Sequence, residues 1–478
     1  MAILVQDFPL KGNFSIRMET SFKRYMVSAV PTLLPRHLTR LGLLWLGLLG
    51  AIGRAAEPVP AVLPIARVWS GHTVAFALLT APPLQYVAYY DANRQLTVAS
   101  RQLTEAKWVY QKLPTSVGWD SHNSVTLAVD RTGQLHVAGN MHGVPLIYFR
   151  TTKPGDISSL TAAPMTGERE QRMTYPVFLR DAEGRLVFRY RDGASGSGDD
   201  LYNVYTEATG MWSRLLPTAL TSGGGKMNAY CTTPQLGPDG FFHMCWVWRN
   251  TPDCSTNHDL SYAKSPDLVH WYDSYGKALT LPITVATGEI VDPVPPKGGI
   301  INANRHLGFD TRARVILTYH KYDANGDLQI YAARREAAGW VIVQVSDWQG
   351  YRWEFSGGGT IVPEVTVGAV EPIGDGKLLL NYRYPQGAGT WVLDDTTLKP
   401  IPDAKVPRPA LAWPKGALAV ASTFAGMKKR MAGDLGAESL DFSYRLVWET
   451  LDANRDRERP QPWPEPSELK LVKVKNGP

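Results

Sequence analysis

The segment SVTLAVDRTGQLHVAGNMH (124–142) decides how the rest of the chain is read. An apolar run, a tight turn carrying Asp130 and Gly133, and a second run that alternates in polarity make a β-hairpin. The same outline returns in YPVFLRDAEGRLVFRYR (175–191), YCTTPQLGPDGFFHMCWVWR (230–249), RHLGFDTRARVILTYHKY (305–322) and VGAVEPIGDGKLLLNYRY (367–384). No sustained 3.6-residue apolar period of helical length lies between them, so the chain is all-β. The turn acids Asp130, Asp181, Asp239, Asp310 and Asp375 are 51, 58, 71 and 65 residues apart. That spacing fits repeated units of about fifty residues with loop insertions, and not the strand spacing of about 8–12 residues in a sandwich. Dividing residues 60–450 by roughly 40–55 residues per unit predicts a β-propeller of seven or eight blades, with seven preferred, each of four antiparallel strands.

With 478 residues, 44% hydrophobic and 20% charged, the composition is that of a well-cored globular protein and excludes disorder, collagen and coiled coil. The formal charge of +6 is local. Residues 1–56 carry seven Lys/Arg against Asp7 and Glu19, leaving 43 basic and 42 acidic residues for the remainder. The body is therefore near neutral and has no general electrostatic reason to seek nucleic acid. The basic leader has the parts of an export signal: Arg36 and Arg40, the apolar run Leu41–Gly53, then Ala55 and Ala56 before Glu57-Pro58. The run is too short to span a bilayer, so cleavage near Ala56 is expected, with translation starting at Met1 or Met26 and a body secreted or periplasmic, free of the membrane. Residues 57–478 then form one catalytic propeller domain and a monomer. Its Pro-rich end, from about residue 402, contributes strands at 442–451 and 468–474 that close the ring against the first strand.

In a hairpin, residues equidistant from the turn emerge together at the open end. His122 and His142 balance about Thr132, Tyr175 and Arg191 about Glu183, and Tyr230 and Arg249 about the Asp239-Gly240 turn. In a propeller these ends converge near the axis, unless bulges break the register. Two imidazoles, two phenols and two guanidinium groups in one cleft are costly to desolvate without an acidic ligand to meet them. The plainer reading is that Tyr and Arg are common strand-end residues and that His122 caps a loop in Trp119-Asp-Ser-His-Asn123.

Three runs, 119–156 (WDSHNSVTLAVDRTGQLHVAGNMHGVPLIYFRTTKPGD), 174–199 (TYPVFLRDAEGRLVFRYRDGASGSGD) and 246–267 (WVWRNTPDCSTNHDLSYAKSPD), resemble the BNR-repeat propellers that include secreted ulvan lyases and related uronate-polysaccharide lyases. Ser265-Pro-Asp267-Leu-Val-His-Trp271 also resembles the Asp box of such propellers, a structural turn. The resemblance spans roughly residues 65–390 and implies β-elimination on an acidic polysaccharide. A base takes the uronate C5 proton, a cation neutralises the carboxylate, and an acid protonates the departing O4. Carried over by motif position, His122 and Tyr175 are the acid/base pair, Arg191 is the carboxylate neutraliser, and His142 and Tyr230 support them. An imidazole of ordinary pKa ~6.5 suits the base and a phenol of ~10 the acid, with the reverse assignment open. Asn123, Arg249, Asn257 and His258 are expected at the sugar cleft.

The elimination needs no cofactor. His243, Cys245, Cys254 and His258 nevertheless offer an N/S ligand set for a structural zinc, such as the metal that relatives carry, although the spacing matches no standard zinc signature. A Cys245–Cys254 disulfide or plain core cysteines account for the same residues. Two other readings compete: a carbohydrate-binding propeller that has lost the reaction, and a sialidase-like hydrolase, which lacks the expected arginine start in an early blade. Gly193-Ala-Ser-Gly-Ser-Gly198 follows a strand and opens no helix, so it reads as a rim loop and not as a phosphate loop.

Overall fold

The computed structural model describes residues 61–407, 413, 414, 416, 419–436 and 441–476. The signal region 1–56, its cleavage point, and parts of the Pro-rich segment lie outside the described residues. The described strands form seven sheets, all antiparallel within themselves. They are not uniformly four-stranded as expected: the sheet of Thr366–Pro372, Lys377–Tyr384 and Gly387–Asp394 has three strands, and two others carry extra short strands.

Each predicted hairpin is present, and at four of the five the turn acid accepts backbone N–H groups of the turn. The Asp130 carboxylate accepts the backbone N–H of Thr132 at 2.9 Å and of Gln134 at 3.0 Å. Asp310 does the same for Arg312 and Arg314 at 2.9 and 2.8 Å. An Asp at the first turn position thus satisfies donors that the ladder leaves unpaired. The Asp box behaves likewise, with Asp267 accepting from the Val269 and His270 amides at 2.9 and 2.8 Å while Trp271 is buried in the core.

Ring closure joins the two ends of the described residues. Ala61–Val68 pairs with Ser467–Lys475, which pairs with Phe442–Thr450 and then Lys428–Gly433. The first strand therefore has no open edge toward the last, the liability the sequence reading anticipated. Apolar clusters fill the spaces between sheets, such as the one holding Trp246, Trp248, Trp271 and Ile283. Among the described residues no helix is long and apolar enough to cross a membrane.

Candidate functional site

Strand register decides which side chains reach the axis. In the hairpin Val125–Val129/Leu135–Gly139 the pairs Val125↔Gly139 and Leu127↔Val137 extrapolate to His122 opposite His142. Their rings stack with centroids 4.2 Å apart. In the next hairpin the ladder holds Val177↔Arg189 but then shifts to Thr174↔Arg191. Tyr175 lies in this bulge with a φ of 57°, so it does not pair with Arg191 as the arithmetic expects. A positive φ at a bulky residue is strained and persists only where surrounding structure holds it. The bulge brings the Tyr175 ring 5.7 Å from His122 and under the Arg191 guanidinium, whose Cζ is 4.8 Å from the ring centroid. The third hairpin departs further: Tyr230 faces Val247 and Arg249 faces Asn228, because the chain leaves the ladder between Cys231 and Gln235. Arg249 still donates to the Tyr230 hydroxyl at 3.2 Å across this diagonal.

Two contiguous cavities line up on these residues. The upper, about 150 Å³, is bounded by His122, His142, Tyr175, Tyr230, Arg249 and the 358–361 loop. The lower, about 530 Å³, shares His122, Tyr175 and Tyr230 and continues to Arg189, Arg191 and Arg305. The rim loop 193–198 closes one side, where the Ser195 and Tyr230 hydroxyls lie 2.6 Å apart. A Cβ on Gly196, at φ 77°, would stand 2.7 Å from Thr251 Cα, so only glycine lets this loop lie against the 250s loop.

Asp120, which the sequence reading passed over, organises the two imidazoles. Its Oδ1 meets His122 Nδ1 at 2.7 Å, and its Oδ2 meets His142 Nδ1. Burial alone would raise this carboxyl, but hydrogen bonds from His122 and His142 outweigh burial and hold it well below the usual carboxylate range. An ionised Asp120 accepts Nδ1–H from both rings, which leaves Nε2 of each as the basic nitrogen when the ring is neutral. His122 Nε2 has the Thr360 hydroxyl at 3.2 Å, and Asp456 flanks the same ring at 3.4 Å. Asp120 was legible as the first acid of the Asp-Ser-His stretch that was read as a loop cap.

Burial pushes the Tyr175 hydroxyl well above the ordinary phenol value, and Tyr230 adds to this, while Arg191 and Arg249 only partly offset it. Tyr175 is therefore held as a neutral donor. Arg191, which is 5% exposed, donates from Nη2 to Thr174 Oγ1 at 3.3 Å, and its Nε and Nη1 have no partner among the described residues.

The match of residues 84–348 to the model of the BNR repeat-containing family covers more than half of the chain. The chain belongs to that family. Among solved structures similar to this family member is a polysaccharide lyase, Uly1, at 13% identity and TM-score 0.56, covering 87% of this chain and 99% of that one. Another is a polysaccharide lyase described as a PL25 ulvan lyase, at 15% identity and TM-score 0.57, covering 87% and 96%. That lyase is also known bound to -[GlcA(1-4)Rha3S]-, where the likeness is 14% identity with TM-score 0.56 and the same coverage. At these identities the likeness is one of fold, a β-propeller of the polysaccharide lyase kind. No curated protein matches this BNR family member by sequence.

Several expected site residues stand outside the cleft. Asn123 lines neither cavity, and its carbonyl accepts the Tyr90 hydroxyl at 2.6 Å. Asn257 is buried behind the wall, where its amide donates to the Cys254 carbonyl at 2.7 Å and to Asn302 Oδ1 at 3.3 Å. His258 is fixed between Asp259 and Asn250, each at 2.9 Å. Arg249 reaches the upper cavity, and its guanidinium donates to the carbonyls of Thr251, Pro252 and Asp253 and to the Tyr230 hydroxyl.

The expected zinc set is not assembled either. His243 sits near the turn end with its ring nitrogens on Tyr262 and Asp239 at 2.6 and 2.8 Å. Cys231, Cys245 and Cys254 are all free thiols. Among the described residues the one group of three metal-ligating side chains is Asp120, His122 and His142. The reason is register: His243 pairs with Lys264 and His258 with Trp248, which puts them at opposite ends of one strand pair.

Proposed function

We propose that this protein is an exported polysaccharide lyase that cleaves a uronate-containing glycan by β-elimination. The observation that carries the reading is the meeting of Asp120-oriented imidazoles, a half-buried neutral phenol and an under-coordinated guanidinium in one cleft. These are the three demands of the reaction. Nε2 of His122 takes the C5 proton, with His142 coupled to it through Asp120. Arg191 stabilises the carboxylate as negative charge develops on it. The Tyr175 hydroxyl gives its proton to O4 as the C4–O4 bond breaks and the C4–C5 double bond forms. Tyr230, held by Ser195 and Arg249, shapes the wall beside Tyr175. The polysaccharide lyase fold and the uronate oligosaccharide bound by one structural relative support the same substrate class. The test is incubation with ulvan, glucuronan, pectin, alginate and chondroitin, following absorbance near ~235 nm where a 4,5-unsaturated uronate absorbs. A rise with one polymer that vanishes in His122→Ala and Tyr175→Phe is expected. Binding of a polymer with no rise at any pH would replace the lyase by a carbohydrate-binding propeller.

A further inference from the structure

The loop that carries His122 is not held by its own hairpin alone. The connection between Phe442–Thr450 and Ser467–Lys475 grips it at two points. At the first, Trp463 packs against Trp119 with ring centroids 5.2 Å apart, and both indoles share the Arg94 guanidinium with Trp69. At the second, Asp456 Oδ1 accepts the Ser121 backbone N–H at 3.1 Å and the Ser121 hydroxyl at 2.7 Å. Its Oδ2 accepts the Thr360 N–H at 2.7 Å and stands 3.4 Å from His122 Nδ1. The Ser121 and Thr360 hydroxyls also lie 2.7 Å apart, and Thr360 Oγ1 is 3.2 Å from His122 Nε2. One carboxylate thus ties the residue before His122 to the residue that faces its ring from the 356–361 loop.

Placing Asp456 there strains the backbone. Arg455 and Asp456 both take left-handed φ values, 56° and 58°, which non-glycine residues keep only where surrounding contacts hold them. Those contacts go to the same loop. The Arg455 N–H donates to the Thr360 carbonyl at 3.2 Å, and its Nη1 donates to the Ser356 and Gly358 carbonyls at 2.7 and 3.3 Å. A Cβ on Gly359, at φ 73°, would stand 2.3 Å from the Arg455 carbonyl oxygen, so glycine lets the loop lie this close.

We propose that Asp456 is a positioning residue for His122: its carboxylate fixes the 120–122 and 356–361 loops on either side of the imidazole, so that the ring-closing connection completes the site. Asp120 sets which ring nitrogen carries the hydrogen, and Asp456 sets where the ring stands. A displacement of about 1 Å is enough to take a base out of reach of its proton. That the ring acts as a base rests on the proposed function, whereas the grip on its loop does not.

Deuterium exchange of the full chain, read by mass spectrometry on peptides covering 119–123 and 356–361, tests the grip without any turnover. Both segments are expected to exchange about tenfold or more faster in Asp456→Ala, and at the wild-type rate in the exposed neighbour variant Arg457→Gln. On a polymer that supports elimination, kcat is expected to fall about 10–100-fold with KM changed by less than about twofold. In a His122→Ala background Asp456→Ala is expected to lower the residual rate no further, because it acts through the imidazole; a purely structural role lowers the rate by the same factor in both backgrounds. If Asp456→Ala does not fold, Asp456→Asn, whose amide keeps an acceptor for Ser121 but turns N–H groups toward Thr360, is expected to move both readouts in the same direction. Failure of every polymer to turn over would sink the lyase reading and leave the exchange measurement to decide whether Asp456 holds the His122 loop. Unchanged exchange at both segments in a folded Asp456 variant, or an equal loss of rate with and without His122, overturns the proposal.

Discussion

The two ends of the hairpins use the same residue types to opposite effect. At the turn end, Asp310 accepts Arg314 Nε at 2.7 Å, Arg314 reaches Glu336 at 2.6 Å, and Arg334 binds Glu336 at 2.7 Å and the backbone of Asp395. Two guanidinium groups meet three carboxylates and no donor is stranded. At the axis, three guanidinium groups meet Asp200 alone, and Arg191 and Arg305 keep buried N–H groups with no partner among the described residues. A closed network stabilises the blade, whereas buried donors without acceptors at the axis cost stability.

The largest expected effect is on turnover. Tyr175→Phe and His122→Ala should each lower the elimination rate by about 10²–10⁴-fold with little change in melting temperature; a Tyr175→Phe protein that turns over normally would break the comparison at its axial end. Asp120→Asn comes next. An amide cannot accept Nδ1–H from two imidazoles, so a loss on the order of 10–100-fold in kcat is expected, seen as an altered pH–rate profile. Asp310→Asn belongs to the other end. Weakening the charge-assisted bond from Arg314 while Glu336 still holds both guanidinium groups should cost about 2–3 kcal/mol in denaturant unfolding and leave the activity of the folded fraction intact.

Acid titration sharpens the comparison through a buried group of a third kind. His320 donates from Nδ1 to the Gly299 carbonyl at 2.7 Å, and burial lowers it to about 4. Its folded value lies below the unfolded value of about 6.5, so the unfolded chain takes up the proton first as pH falls. Its contribution is intact above pH ~6.5 and is lost down to pH ~4, amounting to about 3 kcal/mol. In His320→Asn, whose amide can keep the bond to Gly299, unfolding measured across that window should show a flatter pH dependence. The smallest effect is Asp267→Ala, which removes two turn hydrogen bonds at a half-exposed site and should cost about 1 kcal/mol without touching activity.

The candidate site was legible to the extent that register was regular. His122 and His142 met as their numbers required because each lies three residues beyond the last rung of the ladder, Val125↔Gly139. Tyr175 slipped by one residue at a bulge, yet the slip turned its ring into the cleft. Tyr230 and Arg249 slipped by two, and Arg249 became a staple for its own loop. Asn123, Asn257 and His258 were placed by proximity in sequence to cleft residues, and local hydrogen bonds claimed them first. Arg305 and Thr360 escaped notice because nothing in their local pattern marks them, and they reach the cavity only through closure of the ring.

By itself the sequence determined the all-β class, the repeat, the turn acids and one pair of facing histidines. These depend on alternation of side chains along a strand and on turn chemistry, both local properties of the chain. The tertiary structure decided which arginines are balanced and which are left open, that Asp120 couples two imidazoles, and that His243 and His258 stay apart. Charge balance and bulged register arise between sheets, where contacts are set by distances through space that no spacing in the sequence encodes.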